Sequence, residues 1–412
     1  MAGWRGAGRR LGRAGARWAD RLAWALALLY GLDRLLRLLA LRRFFRRPPP
    51  PAPEPWPSVT LICPITRSPN DLRAALESRA ALDYPGPLRC LLVCDERDEQ
   101  SQAICRALMA ARPDWRAELI IVPADAGAVA SKVAKQRAAL ARADGEVLCF
   151  VDDDVALRPD ALRVLVPHAL RPGVGSAFGL ARYSAWDTLG ESLMSGFVNT
   201  SALPGYVPLA LMVEPFTITG HCFAMARERF EAVGGLEGME GRLDDDHELA
   251  RRVRRRGMRN VQTPLIYDVE NRLATLADYH AQMRRWVLFP RLMMLPDMGR
   301  RERAALALSG LGNYLPPLSA LLALATWRPA ALAALGLSLG AFVGAYARVE
   351  RAYLGRAMPA RRRALLPALA VLTPLHVALA ALGGETITWR GQRLRVERGG
   401  RFTVLGPEET HR

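Results

Sequence analysis

The sequence predicts an α/β domain followed by transmembrane helices. From Ser58 to about Ile266, short apolar runs alternate with segments of helical periodicity, which is typical of helices layered on a sheet. After about Met298, long apolar segments with almost no charge follow, as in membrane helices. Half of the 412 residues are apolar, yet the formal net charge is +17. Such a charge favours anionic partners: nucleotide phosphates, acidic lipids or nucleic acid.

The first 54 residues are predicted to form an Arg-rich membrane or interfacial segment that ends in a proline-rich linker. The apolar run Leu22–Leu32 is followed at once by Asp33, Arg34 and Arg37. This run is shorter than a membrane span requires, and charged residues follow it directly. A helix that lies in the membrane interface therefore fits the pattern equally well. The segment PPPPAPEPWP that comes next predicts a stiff, extended connection.

Residues 55–300 are predicted to form the α/β domain. One helical segment, SPNDLRAALESRAAL, opens with the Ser, Asn and Asp residues that cap helices. Three of the predicted strands contain cysteine, and we expect these thiols to be free and buried. The predicted strands are VTLICPI, RCLLVC, ELIIVP and EVLCFV.

Residues 301–384 are predicted to lie in the membrane, and residues 385–412 to form a basic cytosolic tail. The apolar segments are Ala304–Trp327, Ala330–Ala347 and Ala364–Leu382. The loop between the last two is rich in arginine, and the positive-inside rule therefore places it in the cytoplasm.

Three consecutive aspartates, Asp152 to Asp154, follow the strand EVLCFV. Carboxylates at the carboxyl end of a strand in an open α/β sheet lie where ligands bind. Asp152 and Asp154, two residues apart, can bind one divalent ion that also holds a diphosphate. The alternative is a solvated acidic turn. A haloacid-dehalogenase phosphatase is excluded, because its motif requires Thr or Val where this chain has Ala156 and then Leu157.

A second acidic cluster, Asp244 to Asp246, stands where a helix is predicted to start. Acidic residues are common in the first turn of a helix, so capping alone is one interpretation. Three in a row exceed what capping needs. The other interpretation is a base placed opposite a leaving diphosphate.

A third element is the segment HAQMRRW. On a helix, Gln282, Arg285 and Trp286 fall at positions i, i+3 and i+4 and therefore on one face. An amide, a guanidinium and an indole on one stripe suit a diphosphate and a sugar or acceptor ring. The alternative is an interfacial helix whose basic and aromatic residues anchor it beside a membrane segment.

The only two lysines of the chain, Lys132 and Lys135, lie in the segment SKVAKQR, whereas the rest of the 57 basic residues are arginines. A compact ammonium is suited to act as a point charge facing phosphate, which a planar guanidinium does less well. Chance placement on an ordinary amphipathic helix is the alternative.

These motifs, in this order before membrane segments, resemble the family 2 type of nucleotide-sugar glycosyltransferases, with their Rossmann-like GT-A fold. More closely, the chain is similar to the ceramide glucosyltransferases and their bacterial relatives, including hopanoid-associated glycosyltransferases. The resemblance covers about Pro55 to Arg401 and includes the tail ETITWRGQRLRVERGG.

The resemblance implies a role for each matching residue. It makes Asp152 and Asp154 the metal and diphosphate motif, with a divalent cation, Mn²⁺ or Mg²⁺, as cofactor. It makes Asp246 the general base and Asp245 its acidic neighbour. The product and acceptor site then contains Gln282, Arg285 and Trp286.

The first acidic position of the family falls in the segment VCDERDEQ. Alignment on Cys105 selects Glu96, with Asp98 two residues further on, whereas strand length favours Asp95. The donor-binding residues implied in this way are Asp95, Glu96, Asp98, Lys132 and Asp152. Lys132 keeps its family position within ASKV, without the Asn-Pro that precedes it in the family, while Lys135 is the next turn of the helix.

The implied reaction is transfer of one sugar, glucose first, from a UDP-sugar to a membrane lipid hydroxyl, with inversion. Ceramide is the first expected acceptor, and a hopanoid or other polar lipid is the second. A processive polysaccharide synthase shares the motifs but needs enough helices to enclose a polymer channel. A nucleic-acid binder would also explain the charge, but no binding motif is present, so no nucleic-acid partner is expected.

The implied location is the bacterial inner membrane, as a multi-pass protein whose catalytic domain faces the cytoplasm. A cytosolic domain and a cytosolic tail must be separated by an even number of crossings, yet three apolar segments lie between them. We therefore expect Ala364–Leu382, which contains Pro367 and Pro374, to fold back without crossing.

Overall fold

The computed structural model describes residues 2–66, 72–124, 131–355, 358–389 and 392–407, without the side chains of residues 2–14. The predicted capping residues Ser68, Asn70 and Asp71 lie outside the described residues. The helices are α1 Ala2–Phe45, α2 Leu72–Ala80, α3 Glu99–Ala111, α4 Ser131–Leu140, α5 Ala161–Ala169, α6 Leu189–Met212, α7 Arg227–Ala232, α8 Asp245–Arg255, α9 Leu276–Phe289, α10 Leu295–Asp297, α11 Arg300–Leu311, α12 Leu315–Thr326, α13 Pro329–Val349 and α14 Leu366–Ala381.

Two sheets are present in the described part of the chain, one of eight strands and one of three. The order of the large sheet is β3-β2-β1-β4-β7-β6-β8-β5, and that of the small sheet is β11-β10-β9. The strands are β1 Val59–Pro64, β2 Leu88–Asp95, β3 Ala117–Val122, β4 Val147–Val151, β5 Val155–Ala156, β6 Val174–Tyr183, β7 Cys222–Ala226, β8 Arg259–Val269, β9 Thr386–Trp389, β10 Gln392–Val396 and β11 Phe402–Pro407.

The four predicted strands are β1 to β4 of the large sheet. Strands β1, β2, β3 and β4 run parallel to one another, and β4 pairs with β7 in the antiparallel direction. Every residue of β1 and β4 is buried, because helices cover both faces of the sheet. The cysteines of the predicted strands are free and buried as expected, and so are Cys105 and Cys222. The predicted α/β class is confirmed.

The order of the strands creates a switch point between β1 and β4. The chain moves outward from β1 through β2 to β3, then returns by α4 to β4 on the other side of β1. Helices on the two sides of this point leave in opposite directions and open a crevice at the carboxyl ends of the strands. Ligands of open α/β sheets bind in this crevice. The fold therefore places Asp152, directly after β4, at the edge where a ligand is expected.

The three predicted membrane segments are helical. In the described part of the chain, three helical stretches are long and apolar enough to cross a membrane: Arg300–Thr326, Pro329–Leu354 and Ala360–Ala381. Many of their leucines are exposed, among them Leu324 and Leu379. A hydrocarbon environment would cover such side chains.

Helix α1 is longer than the apolar run in the sequence indicates, and it packs along the apolar helices. Small residues allow close approach: Ala23 and Ala27 contact Ala323, Ala331 and Ala334 of α12 and α13. An ion pair joins Asp20 to Arg328 in the turn between those two helices, with 2.6 Å between Oδ1 and Nε.

The charges that interrupt the apolar pattern of α1 are buried and paired. Arg34 and Arg37 are each only 6% exposed. Arg37 Nε donates to Asp33 Oδ2 at 2.8 Å, and its Nη1 donates to the carbonyl of Pro204 in α6 at 2.7 Å. Arg34 Nη2 donates to Asn313 Oδ1 at 3.2 Å. These residues therefore attach α1 to its neighbours, which the sequence pattern alone does not indicate.

The C-terminal residues form a folded sheet on the α/β domain. The backbone N–H of Leu243 donates to the carbonyl of Gly400 at 3.0 Å. An apolar cluster joins the sheet to α9 and its continuation. Its fully buried members are Leu243, Leu288, Leu292, Met293, Ile387, Leu394 and Val396. The predicted basic tail is thus not a free extension.

Helix α14 also contacts the α/β domain. His376 Nε2 of α14 lies 2.9 Å from His280 Nδ1 of α9, and their rings stack. Arg291 Nη1 donates to the carbonyl of Ala381 at 2.6 Å, at the end of α14. Helix α14 and the sheet after it therefore both contact the α/β domain.

We expect tags placed after Arg412 and in the exposed turn at Gly238 to be accessible from the same face of membrane vesicles. A tag inserted at Trp327, between α12 and α13, should be accessible from the opposite face. Antibody binding to right-side-out and inverted vesicles measures this. Accessibility of the Arg412 and Gly238 tags from opposite faces would contradict the expectation.

Candidate active site

Lys132 joins the two acidic clusters at the switch point. It lies in the first turn of α4, and its Nζ is 2.7 Å from Asp152 Oδ1 and 3.9 Å from Asp245 Oδ2. The same Nζ donates to the carbonyl of Gly220 at 3.4 Å. Burial lowers the pKa of Lys132, but the charges of Asp152 and Asp245 outweigh it and raise the pKa overall. Lys132 therefore remains a cation in the physiological range.

Lys135 has a different position from the one the sequence suggests. It is 1% exposed, and its Nζ donates to the carbonyl of Ile65 at 2.5 Å. The same atom is 3.3 Å from Asp95 Oδ2. Lys135 therefore connects the carboxyl ends of β1 and β2 beneath the crevice and is more than the next turn of a helix. The sequence feature that could have indicated this role is the scarcity of lysine in the chain, which singles out Lys132 and Lys135 alike.

The structure separates the three candidates for the first acidic position. Asp95 is the last residue of β2 and is held by Lys135. Glu96 is exposed, and its Oε1 accepts from the backbone N–H of Ala124 at 3.2 Å. Asp98 is the N-cap of α3, and its Oδ1 accepts from the N–H of Ser101 at 3.1 Å. Asp95 is thus the candidate at the strand end, whereas Asp98 already has a structural task.

The three aspartates after β4 have three different environments. Asp152 faces Lys132. Asp153 is 7% exposed, and its Oδ2 accepts from the backbone N–H of Thr66 at 2.6 Å. The Oδ1 atom of Asp154 is buried and has no hydrogen-bond partner among the described residues. Burial, followed by the charges of Asp153 and Asp152, raises the pKa of Asp154 to about 8.

Asp152 and Asp154 are the residues predicted to bind a divalent cation. Among the described residues, no group of three or more His, Cys, Asp and Glu side chains is arranged to hold a metal. A cation of the Mg²⁺ type, however, is usually held by one or two carboxylates together with substrate phosphates. The unpaired Oδ1 of Asp154 and its raised pKa are the properties of a carboxylate that a cation would stabilise. The residues present therefore fit such an ion.

The residues of the second acidic cluster, Asp244 to Asp246, also differ in their contacts. Asp244 is 3% exposed and pairs with Arg242, with Oδ2 to Nη2 at 3.0 Å. It stands at the N-cap of α8, but its side chain makes no capping hydrogen bond. Asp246 Oδ2 accepts from the N–H of Gly220 at 3.1 Å, and its Oδ1 accepts from the N–H of His247 at 2.7 Å. Capping therefore does not account for the cluster.

Asp246 has the properties of a base near neutral pH. Burial, with the adjacent charge of Asp245, raises its pKa to about 7. A Cβ at Gly220 would lie 2.9 Å from Asp246 Oδ2, so this close approach needs glycine. The carboxylate is held by two backbone amides and is therefore fixed in orientation.

The predicted stripe on α9 is present, and its members contact different partners. Arg285 Nη2 donates to Gln282 Oε1 at 2.6 Å. Trp286 packs edge-on against Tyr183, with 5.8 Å between ring centroids, and against Phe197 at 6.3 Å. The amide and the guanidinium thus form a pair, while the indole belongs to an aromatic group.

Two residues close to these motifs, Tyr183 and His221, are not indicated by any sequence pattern. Tyr183 ends β6 and contacts both Trp286 and His221. Burial and the charge of Asp154 raise its pKa. The carbonyl of His221 accepts from the N–H of Asp152 at 2.9 Å. These residues carry no local sequence signal, because each reaches the site only through the pairing of β4, β6 and β7.

Comparison with known proteins decides the class of the chain. The model of glycosyl transferase family 21 matches residues 22–402, nearly the whole sequence. The chain belongs to glycosyl transferase family 21. The glycosyltransferase class expected from the motifs is therefore confirmed.

Relatives of this glycosyltransferase include two N-acetylglucosaminyltransferases. That of Mesorhizobium japonicum is 33% identical over 131 residues, which cover 32% of this chain and 30% of the relative. That of Rhizobium meliloti is 32% identical over 127 residues, which cover 31% of this chain and 29% of the relative. The glycosyltransferase thus spans less than a third of the length of these curated relatives.

Solved structures similar to the glycosyltransferase include a mannosyltransferase of Pyrobaculum calidifontis in complex with GDP-Man and Mn²⁺. It is 19% identical with a TM-score of 0.49, and the match covers 88% of this chain and 99% of that one. Residues 1–349 of S. aureus TarS, in complex with UDP-GlcNAc, are 14% identical with a TM-score of 0.39, over 85% and 100% of the two chains. At these scores neither likeness bears on function.

The two lysines of the glycosyltransferase should differ in their contribution to stability. Lys135→Met leaves the Asp95 carboxylate, whose side chain is only 13% exposed, without its cation and should reduce the free energy of unfolding by about 3 kcal/mol. Lys132→Met, the matched control, removes a partly exposed charge and should cost less than half as much. Thermal unfolding of the detergent-solubilised variants measures both. Equal losses in the two variants would contradict the roles assigned to them.

Proposed function

We propose that this family 21 glycosyltransferase is a membrane-bound inverting enzyme that transfers one sugar from a UDP-sugar to the hydroxyl of a membrane lipid. One observation carries the proposal: Lys132 lies between Asp152 and Asp245 at the switch point of the sheet. Next to it stands Asp246, a carboxylate whose pKa is about 7. A cation for the phosphates and a base for the acceptor are thus adjacent.

The donor half of the site consists of Asp95, Lys132, Asp152 and Asp154. As the bond from the sugar carbon to the diphosphate oxygen breaks, its electron pair and negative charge move to the leaving group. Lys132 stabilises this charge from a fixed position, with Arg285 of α9 as the second cation. Asp152 and Asp154 would hold a divalent cation, which supplies further neutralisation of the diphosphate when bound.

The acceptor half of the site depends on Asp246. The lipid hydroxyl attacks the sugar carbon from the face opposite the diphosphate, and Asp246 takes its proton as the new carbon–oxygen bond forms. Asp245 maintains the basicity of Asp246 through its adjacent charge. Direct attack by the lipid hydroxyl, without a covalent bond between the sugar and the enzyme, implies inversion at the sugar carbon.

Two UDP-sugars are candidates for the donor, each with its own support. The resemblance to ceramide glucosyltransferases makes UDP-glucose the first candidate. The names of the rhizobial relatives make UDP-N-acetylglucosamine the second.

The acceptor is proposed to be a lipid because the apolar helices adjoin the site. Helix α14 contacts α9, which carries Gln282, Arg285 and Trp286. Trp286 packs against Phe197 of α6, and Arg37 joins the same helix to α1 by donating to the carbonyl of Pro204. Ceramide is the first candidate through the resemblance, and a hopanoid or other polar lipid is the second. Three helices long and apolar enough to cross a membrane, counted over the described residues, are few for the channel of a processive polysaccharide synthase.

The proposed orientation places the α/β domain on the cytoplasmic face of the bacterial inner membrane, where nucleotide sugars are made. The contacts of α14 and the C-terminal sheet with the α/β domain support an even number of crossings between them.

The transfer rate should rise with pH through about 7. Asp246 is protonated below its raised pKa and cannot accept the hydroxyl proton, and it becomes a carboxylate above that pKa. The rate at saturating donor, measured from pH 5.5 to 8.5, should therefore increase about tenfold per pH unit at the acidic end. A rate that is independent of pH below 7 would contradict the assignment of Asp246 as the base.

Incubating membranes that contain the protein with UDP-glucose or UDP-N-acetylglucosamine, and analysing the lipids by mass, tests the function. We expect a monoglycosylated lipid, and a loss of at least about a thousandfold in rate for Asp246→Asn with UDP binding retained. Asp83→Asn, which alters a surface ion pair with Arg163, is the control. A released glycan polymer would contradict single transfer and favour a polysaccharide synthase. Glycosylated hopanoid without glycosylated ceramide would change the identity of the acceptor lipid and leave the proposed reaction unchanged.

A further inference from the structure

Arg285 lies between Gln282 of its own helix and Trp389 of the C-terminal sheet. Its guanidinium carbon is 5.3 Å from the centre of the Trp389 ring, a cation–π distance. On the other side, its Nη2 donates to Gln282 Oε1 at 2.6 Å. An arginine side chain has many rotamers, and these two contacts restrict it to a narrow set.

The C-terminal sheet is attached to both motifs that form the acceptor half of the site. On the side of α9, Arg284 Nη2 donates to the carbonyl of Thr386 at 3.2 Å. On the side of α8, the N–H of Leu243 donates to the carbonyl of Gly400. The sheet therefore spans from the helix that carries Arg285 to the loop that leads into Asp245.

The turn at Gly400 lies directly against the loop that leads into α8. Gly400 has a φ of +84°, a left-handed conformation that favours glycine. A Cβ at this position would overlap the carboxylate of Asp244. Asp244 directly precedes Asp245 and Asp246, so the turn limits the position of the loop before the base.

We propose that the C-terminal sheet completes the active site and that Trp389 is a positioning residue, which orients Arg285 toward the leaving diphosphate. This inference rests on the function proposed above. Trp389 acts through Arg285 and is not assigned a contact with substrate.

The position of Arg285 relative to the other site residues supports the inference. Its positive charge acts on Tyr183 and on His221, opposing the effect of burial on the pKa of Tyr183 and adding to it on His221. Both residues also sense the charge of Asp152. Arg285 held in this orientation therefore lies within electrostatic range of the centre where the diphosphate is proposed to bind.

The aromatic face of Trp389 can be tested separately from its packing volume. Trp389→Phe keeps a π face for the guanidinium, whereas Trp389→Leu keeps apolar packing without one. Val404→Ala, at an exposed position of β11, is the matched control. The full-length protein is purified in lipid nanodiscs for each variant, and UDP affinity in the presence of Mn²⁺, donor KM, kcat and melting temperature are measured.

Trp389→Leu should weaken UDP binding and raise donor KM about tenfold, while Trp389→Phe should stay within about threefold of the wild type. The melting temperatures of the two variants should agree. Equal UDP affinities and KM values for the Phe and Leu variants would overturn the positioning role, even if both are less stable. Wild-type protein that binds no UDP would overturn the proposed function and this inference with it.

Discussion

The site depends on one ammonium group placed between two sets of carboxylates. Asp152 follows β4 and Asp245 begins α8, so these residues are distant in sequence and meet only at the edge of the sheet. Lys132 Nζ contacts both. Without it, the carboxylates of Asp152 and Asp245 would lose the cation that they share, and their charges would repel each other.

A single lysine does not balance so many carboxylates, and the remaining imbalance is visible in their pKa values. Burial and neighbouring charges raise the pKa of Asp154 to about 8 and that of Asp246 to about 7. These two residues have different proposed uses. Asp154 is the carboxylate that a divalent cation would stabilise, whereas Asp246, held by the amides of Gly220 and His247, is basic enough to accept a proton.

The apolar helices and the small sheet both contact α9, which carries the residues of the proposed acceptor site. Trp286 of α9 packs toward α6, and Arg285 of the same helix turns toward Trp389. Helix α14 contacts α9 through His376. The helix that carries the third motif is therefore held between the apolar helices and the C-terminal sheet. In this arrangement, the proposed binding sites of the lipid acceptor and the nucleotide donor both include residues of α9.

The sequence predicted the parts of the structure that leave a local pattern. Strands β1 to β4 and the three apolar helices are continuous runs, and the acidic clusters follow a strand or begin a helix. The buried Lys135, the paired Arg34 and Arg37 of α1, and the docking of Gly400 on Asp244 were not predicted. They depend on contacts between distant segments, and a charged residue in a sequence does not show whether its partner will be water or a buried carbonyl.

The most direct test of the account is the structure of the protein in nanodiscs with UDP and Mn²⁺, determined by electron cryo-microscopy. The account predicts the diphosphate in the crevice between β1 and β4, with one of its oxygens within about 3 Å of Lys132 Nζ. A nucleotide bound elsewhere, for example along the basic first helix, with Lys132 still paired to both Asp152 and Asp245, would contradict it.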